Sequence, residues 1–199
     1  GQMIGSGRSD MWFDILKTGT RIAMSNSPKL IDKTYDQGAD LMKPKGLWYS
    51  FSMGKPTSSW LNWLYAEMPH WVEKYDYFLE IDVSSANIKK IETKEQVFDF
   101  HDKYSVKDKY SYHFGNIDWS EVAQDYDGIE IVNALSVFRS AQSSGPRNKS
   151  MWVYGWDIDS GVVWNTQGIE VVKAKPIEER HQNRGKRIAE ELGIYDLLD

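Results

Sequence analysis

Aromatic side chains are concentrated in two strand-like segments, and these segments constrain the fold more than any other feature of the sequence. The first is Lys45–Ser52, which ends in Gly-Leu-Trp-Tyr-Ser-Phe-Ser, and the second is Met151–Trp164. Aromatic and β-branched residues favour extended strands, and each ring buries a large area on folding. We therefore predict that both segments are strands at the centre of the domain and that any active site lies beside them.

Periodicity and capping signals predict the remaining elements. Asp76–Val83 has Tyr, Leu, Ile and Val at every second position, which is typical of a half-buried strand. Thr93–Gln96 matches a capping box that opens a helix, and Asp118–Glu121 resembles another that opens a short helix towards Asp125. Further strands are predicted at Arg21–Met24, Ile88–Ile91, Ile129–Val132, Gly161–Trp164 and Ile169–Lys173, and further helices at Ser9–Thr18, from Ser58 and at Ala134–Ala141.

Turn-forming residues predict the connections in the second half of the chain. Ser143–Ser150 contains Gly and Pro and is predicted to be an exposed loop. Asp159-Ser160 is predicted to be a polar turn between two strand-like runs, Met151–Ile158 and Gly161–Trp164. Pro176 suits the first turn of a closing helix, which Gly185 and Gly193 are expected to divide into two short helices.

The order of these elements predicts the α+β class, with a mixed, mainly antiparallel sheet and flanking helices. A chain of 199 residues is long enough to bury one sizeable core, and no internal repeat or linker divides it. We expect an N-terminal helix over residues 1–20, an α+β domain over 21–173 and a helical tail over 174–199.

Several function classes are excluded or disfavoured by composition and motifs. The chain has no Cys, which excludes disulfides, thiolate nucleophiles and Cys-ligated zinc. The four His residues lack metal-binding spacing, and no phosphate-binding or serine-nucleophile motif is present, so we predict no metal cofactor. No apolar run has the length of about 20 residues that a membrane span needs, which favours a cytoplasmic protein. The basic stretch Arg180–Arg187 is flanked by Glu178, Glu179, Glu190 and Glu191, so a solvated helix face is favoured over a nucleic-acid contact.

Three motifs occur in an informative order. The first motif, Gly46–Ser50, precedes the helix predicted from Ser58. The second, Tyr126–Ile131, reads Tyr-Asp-Gly-Ile-Glu-Ile. The third, Asp157–Asn165, contains the late strand Gly161–Trp164. This order resembles the ADP-ribosyltransferase fold, a split-sheet family that includes bacterial mono-ADP-ribosylating toxins and poly(ADP-ribose) polymerases. The resemblance spans roughly Arg21–Lys173. It implies that NAD is a substrate and that ADP-ribose is transferred to a protein or nucleic-acid acceptor.

The resemblance also implies a set of site residues. Trp48 or Tyr49 would stack on nicotinamide, and the catalytic acid would lie at the head of the late strand. There the chain has Asp159, whose neighbour Gly161 permits a close backbone approach. Asp157 and Ser160 are the other two candidates for the catalytic group. If Asp159 proves dispensable, Asp157 or Glu130 is the next candidate for the acid. The residues implied to bind NAD are Arg21, Ser25, Asn26, Trp48, Tyr49, Ser50 and Ser52.

Two other functions remain open at this point. The same fold occurs in RNA 2′-phosphotransferases, which use several Arg residues, and this chain has Arg21, Arg139 and Arg147 before its tail. A non-catalytic protein-binding or inhibitory module is the other alternative, because no Glu occupies the head of the late strand and the pI is acidic. The identity of the acceptor and the oligomeric state are not predicted.

Overall fold

The computed structural model describes residues 20–38, 42–51, 74–107, 116–154, 156 and 159–192. The helices predicted at Ser9–Thr18 and from Ser58 lie outside these residues, as does Gly193. The described strands are β1 (Arg21–Ser25), β2 (Leu47–Phe51), β3 (Tyr77–Asp82), β4 (Ile88–Ile91), β5 (Gly128–Ile131), β6 (Ser160–Val163) and β7 (Glu170–Pro176). The described helices are α1 (Lys94–Tyr104), α2 (Trp119–Asp125), α3 (Ala134–Ser144), α4 (Arg147–Ser150) and α5 (Glu179–Leu192), with a 3₁₀ turn at Met151–Val153.

The strands form a seven-stranded sheet in the order β4-β5-β6-β2-β1-β3-β7. β4 and β5 are parallel, whereas β5 and β6 are antiparallel, as are β1 and β3. The α+β class, with a mixed sheet and flanking helices, is therefore confirmed.

The packing of Cα atoms divides the chain into two compact units. The first contains β1 and the described parts of Ser50–Ile81 and Val171–Asp199, and the second contains the described parts of Ile31–Tyr49 and Asp82–Glu170. The domain boundaries expected after residues 20 and 173 stay a prediction.

Aromatic rings build the core of the second unit. The Phe100 and Trp152 ring centroids are 4.6 Å apart, and Trp119 lies 6.2 Å from both Trp152 and Trp164. The buried Trp152 Nε1 donates to the carbonyl oxygen of Val97 at 3.1 Å, which satisfies its polar tip. This aromatic cluster holds α1 and α2 against the sheet face that carries Ile129, Ile131 and Val162.

The first unit is centred on the antiparallel pair of β1 and β3. Ile22, Ala23 and Leu79 are fully buried. The α5 helix begins shortly after Ile177, whose N–H donates to the carbonyl oxygen of Asp76 at 2.7 Å. Gln182 on α5 donates to the carbonyl oxygen of Tyr75 at 3.1 Å, which ties the helix to the segment before β3.

The helix starts predicted at Thr93 and at Asp118 are both confirmed by capping contacts. Thr93 and Gln96 form the reciprocal capping box of α1, with the Gln96 N–H 3.2 Å from Thr93 Oγ1. The Asp118 carboxylate accepts from the N–H groups of Ser120 and Glu121 at the start of α2. These signals were readable because each depends on residues within one turn.

The strand predicted over Met151–Ile158 is wrong where the structure describes it. Met151–Val153 is a 3₁₀ turn that continues from α4, and the Tyr154 and Trp156 N–H groups each donate to the carbonyl oxygen three residues earlier. Trp152 and Trp156 are both buried with their rings 6.2 Å apart. Burial of these two rings in the aromatic core overrides the strand preference of the segment.

Three connections also differ from prediction. Ser143–Ser150 is not an exposed loop, because α3 extends to Ser144 and α4 follows with Ser150 buried. Pro176 ends β7 rather than opening a helix, and α5 is continuous across Gly185. Asp159-Ser160 is not a hairpin turn, since β6 pairs with β5 and the described residues before it are not a strand.

Candidate functional site

Asp127 joins three segments where β5 begins and β6 ends. Its carboxylate accepts from the Asn87 N–H at 2.9 Å and from Asn165 Nδ2 at 3.2 Å, and its carbonyl oxygen accepts from the Trp164 N–H at 2.9 Å. Trp164 Nε1 donates to the carbonyl oxygen of Tyr126 at 2.7 Å. The Tyr-Asp-Gly motif and the Trp-Asn end of the late strand, which both contribute to the family resemblance, therefore bind each other.

A buried carboxylate lies beside β6. The Tyr49 hydroxyl donates to Glu130 Oε1 at 2.8 Å, and Tyr49 and Glu130 are 2% and 1% exposed. Glu130 pairs with Gly161 across the β5–β6 ladder. A Cβ atom built on Gly161 would lie 2.6 Å from the Tyr49 ring, so only glycine fits at this position without a rearrangement.

The predicted acid, Asp159, lies immediately before β6 and at the N-terminus of α3. Its Oδ1 accepts from the Ala134 N–H at 2.9 Å. Asn133, the residue that precedes α3, has φ 53° and makes no side-chain cap, so Asp159 supplies the cap from a distant part of the sequence. The helix N-terminus carries partial positive charge, which favours a carboxylate here. Ser160 follows it as the half-buried first residue of β6.

The two predicted stacking rings differ in accessibility. Trp48 is half-buried, whereas Tyr49 leaves no ring face open to a ligand. The Trp48 and Trp156 ring centroids are 5.2 Å apart, and Lys43 Nζ lies 5.7 Å from the first centroid and 5.9 Å from the second. Trp48 is therefore the better candidate for stacking on an aromatic ligand.

The other implied NAD-binding residues belong to the first unit or lie outside the described residues. The Arg21 guanidinium is 5.2 Å from the Phe51 ring centroid. Ser25 Oγ accepts from the Ser27 N–H at 3.1 Å, and Asn26 is exposed. Ser50 is buried on β2. The structure describes neither Ser52 nor Asp157.

In the described ranges, no group of three or more His, Asp or Glu side chains could hold a metal ion. No described helix is both long enough and apolar enough to cross a membrane.

No family model, curated protein or solved structure matches this chain.

The sequence points to Glu130 only as a fallback for the catalytic acid, beside Asp157, if Asp159 proves dispensable. A signal for it exists in the sequence, because Gly128–Ile131 is a short strand with a Glu between two Ile residues. An acidic residue in so apolar a strand is unusual, since carboxylates are rarely fully buried without a partner. Its partner, Tyr49, is 81 residues away in the sequence, so pairing the two required the fold.

Proposed function

We propose that this protein is an NAD-dependent ADP-ribosyltransferase that moves ADP-ribose from NAD to a protein or nucleic-acid acceptor. The observation that supports this most directly is the adjacency of β2 and β6. The implied stacking residues are on β2, and the implied acid is at the head of β6. A nicotinamide ring and the ribose bonded to it are only a few ångströms apart, so the groups that bind them must lie on neighbouring segments.

The proposed reaction breaks the bond between ribose C1′ and the nicotinamide nitrogen. The bonding electrons leave with nicotinamide, and C1′ gains positive charge in an oxocarbenium-like transition state. A carboxylate at the ribose stabilises that charge. The acceptor nucleophile then forms a bond to C1′ and loses its proton to solvent or to a base.

Within this proposal Asp159 is the acid and Trp48 is the stacking ring. The hydrogen bond from the Ala134 N–H fixes one oxygen of the Asp159 carboxylate, which limits reorientation of the charged group. Asp157 is the second candidate acid, with Ser160 as a polar contact. Arg21, Ser25, Asn26, Ser50 and Ser52, which the resemblance implies as NAD contacts, stay predictions.

Labelled NAD tests the proposal with variants that preserve the fold. Asp159→Asn keeps an oxygen that can accept from the Ala134 N–H while removing the charge, and Trp48→Leu keeps apolar packing while removing the ring. In a cell extract, we expect Asp159→Asn to reduce label transfer about 100-fold and Trp48→Leu to reduce it about tenfold.

Asp99→Asn, an exposed Asp on α1, is the matched control and should leave label transfer unchanged. Full transfer by Asp159→Asn would contradict the assignment of the acid, and Asp157→Asn would then be the next variant to measure. No transfer by the wild-type protein in any extract would contradict the proposed activity.

A non-catalytic binding module is the second candidate, and two observations favour it. Asp159 already serves as the cap of α3, which accounts for its position without any catalysis. Leu135 and Tyr154 are 47% and 65% exposed, which is high for large hydrophobic side chains. Absence of both nicotinamide release and thermal stabilisation by NAD would favour this alternative.

A further inference from the structure

The Glu130 carboxylate is almost completely removed from water. It is 1% exposed, and its side chain lies on the opposite face of β5 from Ile129 and Ile131, where it meets the buried Tyr49. Removing a carboxylate from water costs free energy that its hydrogen bonds only partly offset, and an apolar side chain of similar size is often as stabilising. Packing alone therefore does not account for Glu at this position.

The hydrogen bond that Glu130 accepts reaches across a strand. β2 and β5 are not adjacent in the sheet, because β6 lies between them. A Cβ atom on Gly161 of β6 would lie 2.6 Å from Tyr49 Oη and 2.8 Å from Glu130 Cγ. The hydroxyl of Tyr49 and the carboxylate of Glu130 thus meet above the β6 backbone, in space that is open only because residue 161 is glycine.

This Tyr49–Glu130 bridge adjoins both parts of the proposed NAD site. Tyr49 follows Trp48 directly on β2, and Gly161 follows Ser160, which follows the candidate acid Asp159. The bridge therefore joins β2 and β6 through backbone that directly adjoins the proposed stacking ring and the proposed acid.

We propose that Glu130 is a positioning residue, which acts through Tyr49 to set the spacing of β2 and β6 beside the reacting bond. This inference rests on the proposed ADP-ribosyl transfer. Glu130 does not contact NAD itself. Its effect arises because a misplacement of reacting groups by about 1 Å can lower turnover roughly 100-fold.

Nicotinamide release from NAD by the purified protein tests the inference, with kcat and KM measured separately. Tyr49→Phe removes the donor and Glu130→Leu removes the acceptor, and each should lower kcat about tenfold or more while KM changes by less than about twofold. Glu130→Gln keeps an acceptor oxygen and should retain kcat within about threefold. The double variant Tyr49→Phe/Glu130→Leu should lose no more than either single variant, because both remove one bridge.

Tyr104→Phe is the matched control. Like Tyr49, Tyr104 is a buried tyrosine whose hydroxyl donates to a carboxylate, in this case Asp125 Oδ2 at 2.6 Å. This bond joins α1 to α2 and lies outside the proposed NAD site. Its loss should lower the urea midpoint of unfolding without lowering kcat. If Tyr49→Phe behaves in the same way, or if the two single losses multiply in the double variant, the positioning role is wrong. A wild-type protein that releases no nicotinamide would refute the proposed function itself, and this inference with it.

Discussion

His101 is a fully buried imidazole on α1, and its environment makes it sensitive to pH. Burial lowers the pKa of His101 below its ordinary value of 6.5, and the neighbouring Asp102 only partly opposes this, since Lys149 and Lys107 act in the same direction as burial. The native protein therefore holds a neutral His101 under conditions where the unfolded chain would bind a proton. Acid should weaken the fold through this residue.

The expected pH dependence follows from that lowered pKa. Below about pH 6.5 the unfolded state binds more protons than the native state, so the free energy of unfolding should fall by up to about 1.4 kcal/mol per pH unit. Above that pH this residue should make no pH-dependent contribution. Urea unfolding of the wild type and of His101→Leu between pH 5 and 8 measures the difference. If the free energy of unfolding has the same pH dependence in both proteins, His101 is not the residue responsible.

Asp127 connects the start of β5 to the end of β6 and to the turn before β4. Asp127→Ala removes acceptors for the Asn87 N–H and for Asn165 Nδ2, and we expect it to lower the free energy of unfolding by about 1–3 kcal/mol. Asp127→Asn should lower the free energy of unfolding by less, because the amide oxygen of Asn can still accept one of the two hydrogen bonds. Equal stability of Asp127→Ala and the wild type in urea would show that these contacts contribute nothing.

The elements that the sequence predicted well are those with local signals. β3 follows from alternation within Asp76–Val83, and α1 follows from the Thr93–Gln96 capping box. The segment Met151–Ile158 was misread because aromatic residues also favour strands, whereas Trp152 and Trp156 are four residues apart and both bury in the aromatic core. That choice is made by tertiary packing, which a local pattern does not contain.

The candidate site can be predicted only in part from the sequence, because it depends on how distant segments come together. The β2 segment around Trp48 could be identified from its aromatic residues. The bridge between Tyr49 and Glu130 could not, because it requires β6 to lie between β2 and β5 with glycine at position 161. The cap that Asp159 provides to α3 likewise joins residues 25 positions apart.

The proposed activity leaves a defined chemical record. Purified protein incubated with NAD should produce free nicotinamide over time, together with an equal amount of ADP-ribose that is either free or attached to protein. Chromatography quantifies both products from one sample. Asp159→Asn should reduce both rates together, because nicotinamide and ADP-ribose arise from the same bond cleavage.

Nicotinamide release by the wild-type protein, alone and with added cell extract, therefore tests the proposed activity directly. The proposed function predicts release above a protein-free blank, with loss of about 100-fold in Asp159→Asn. NAD that remains intact under both conditions would contradict it.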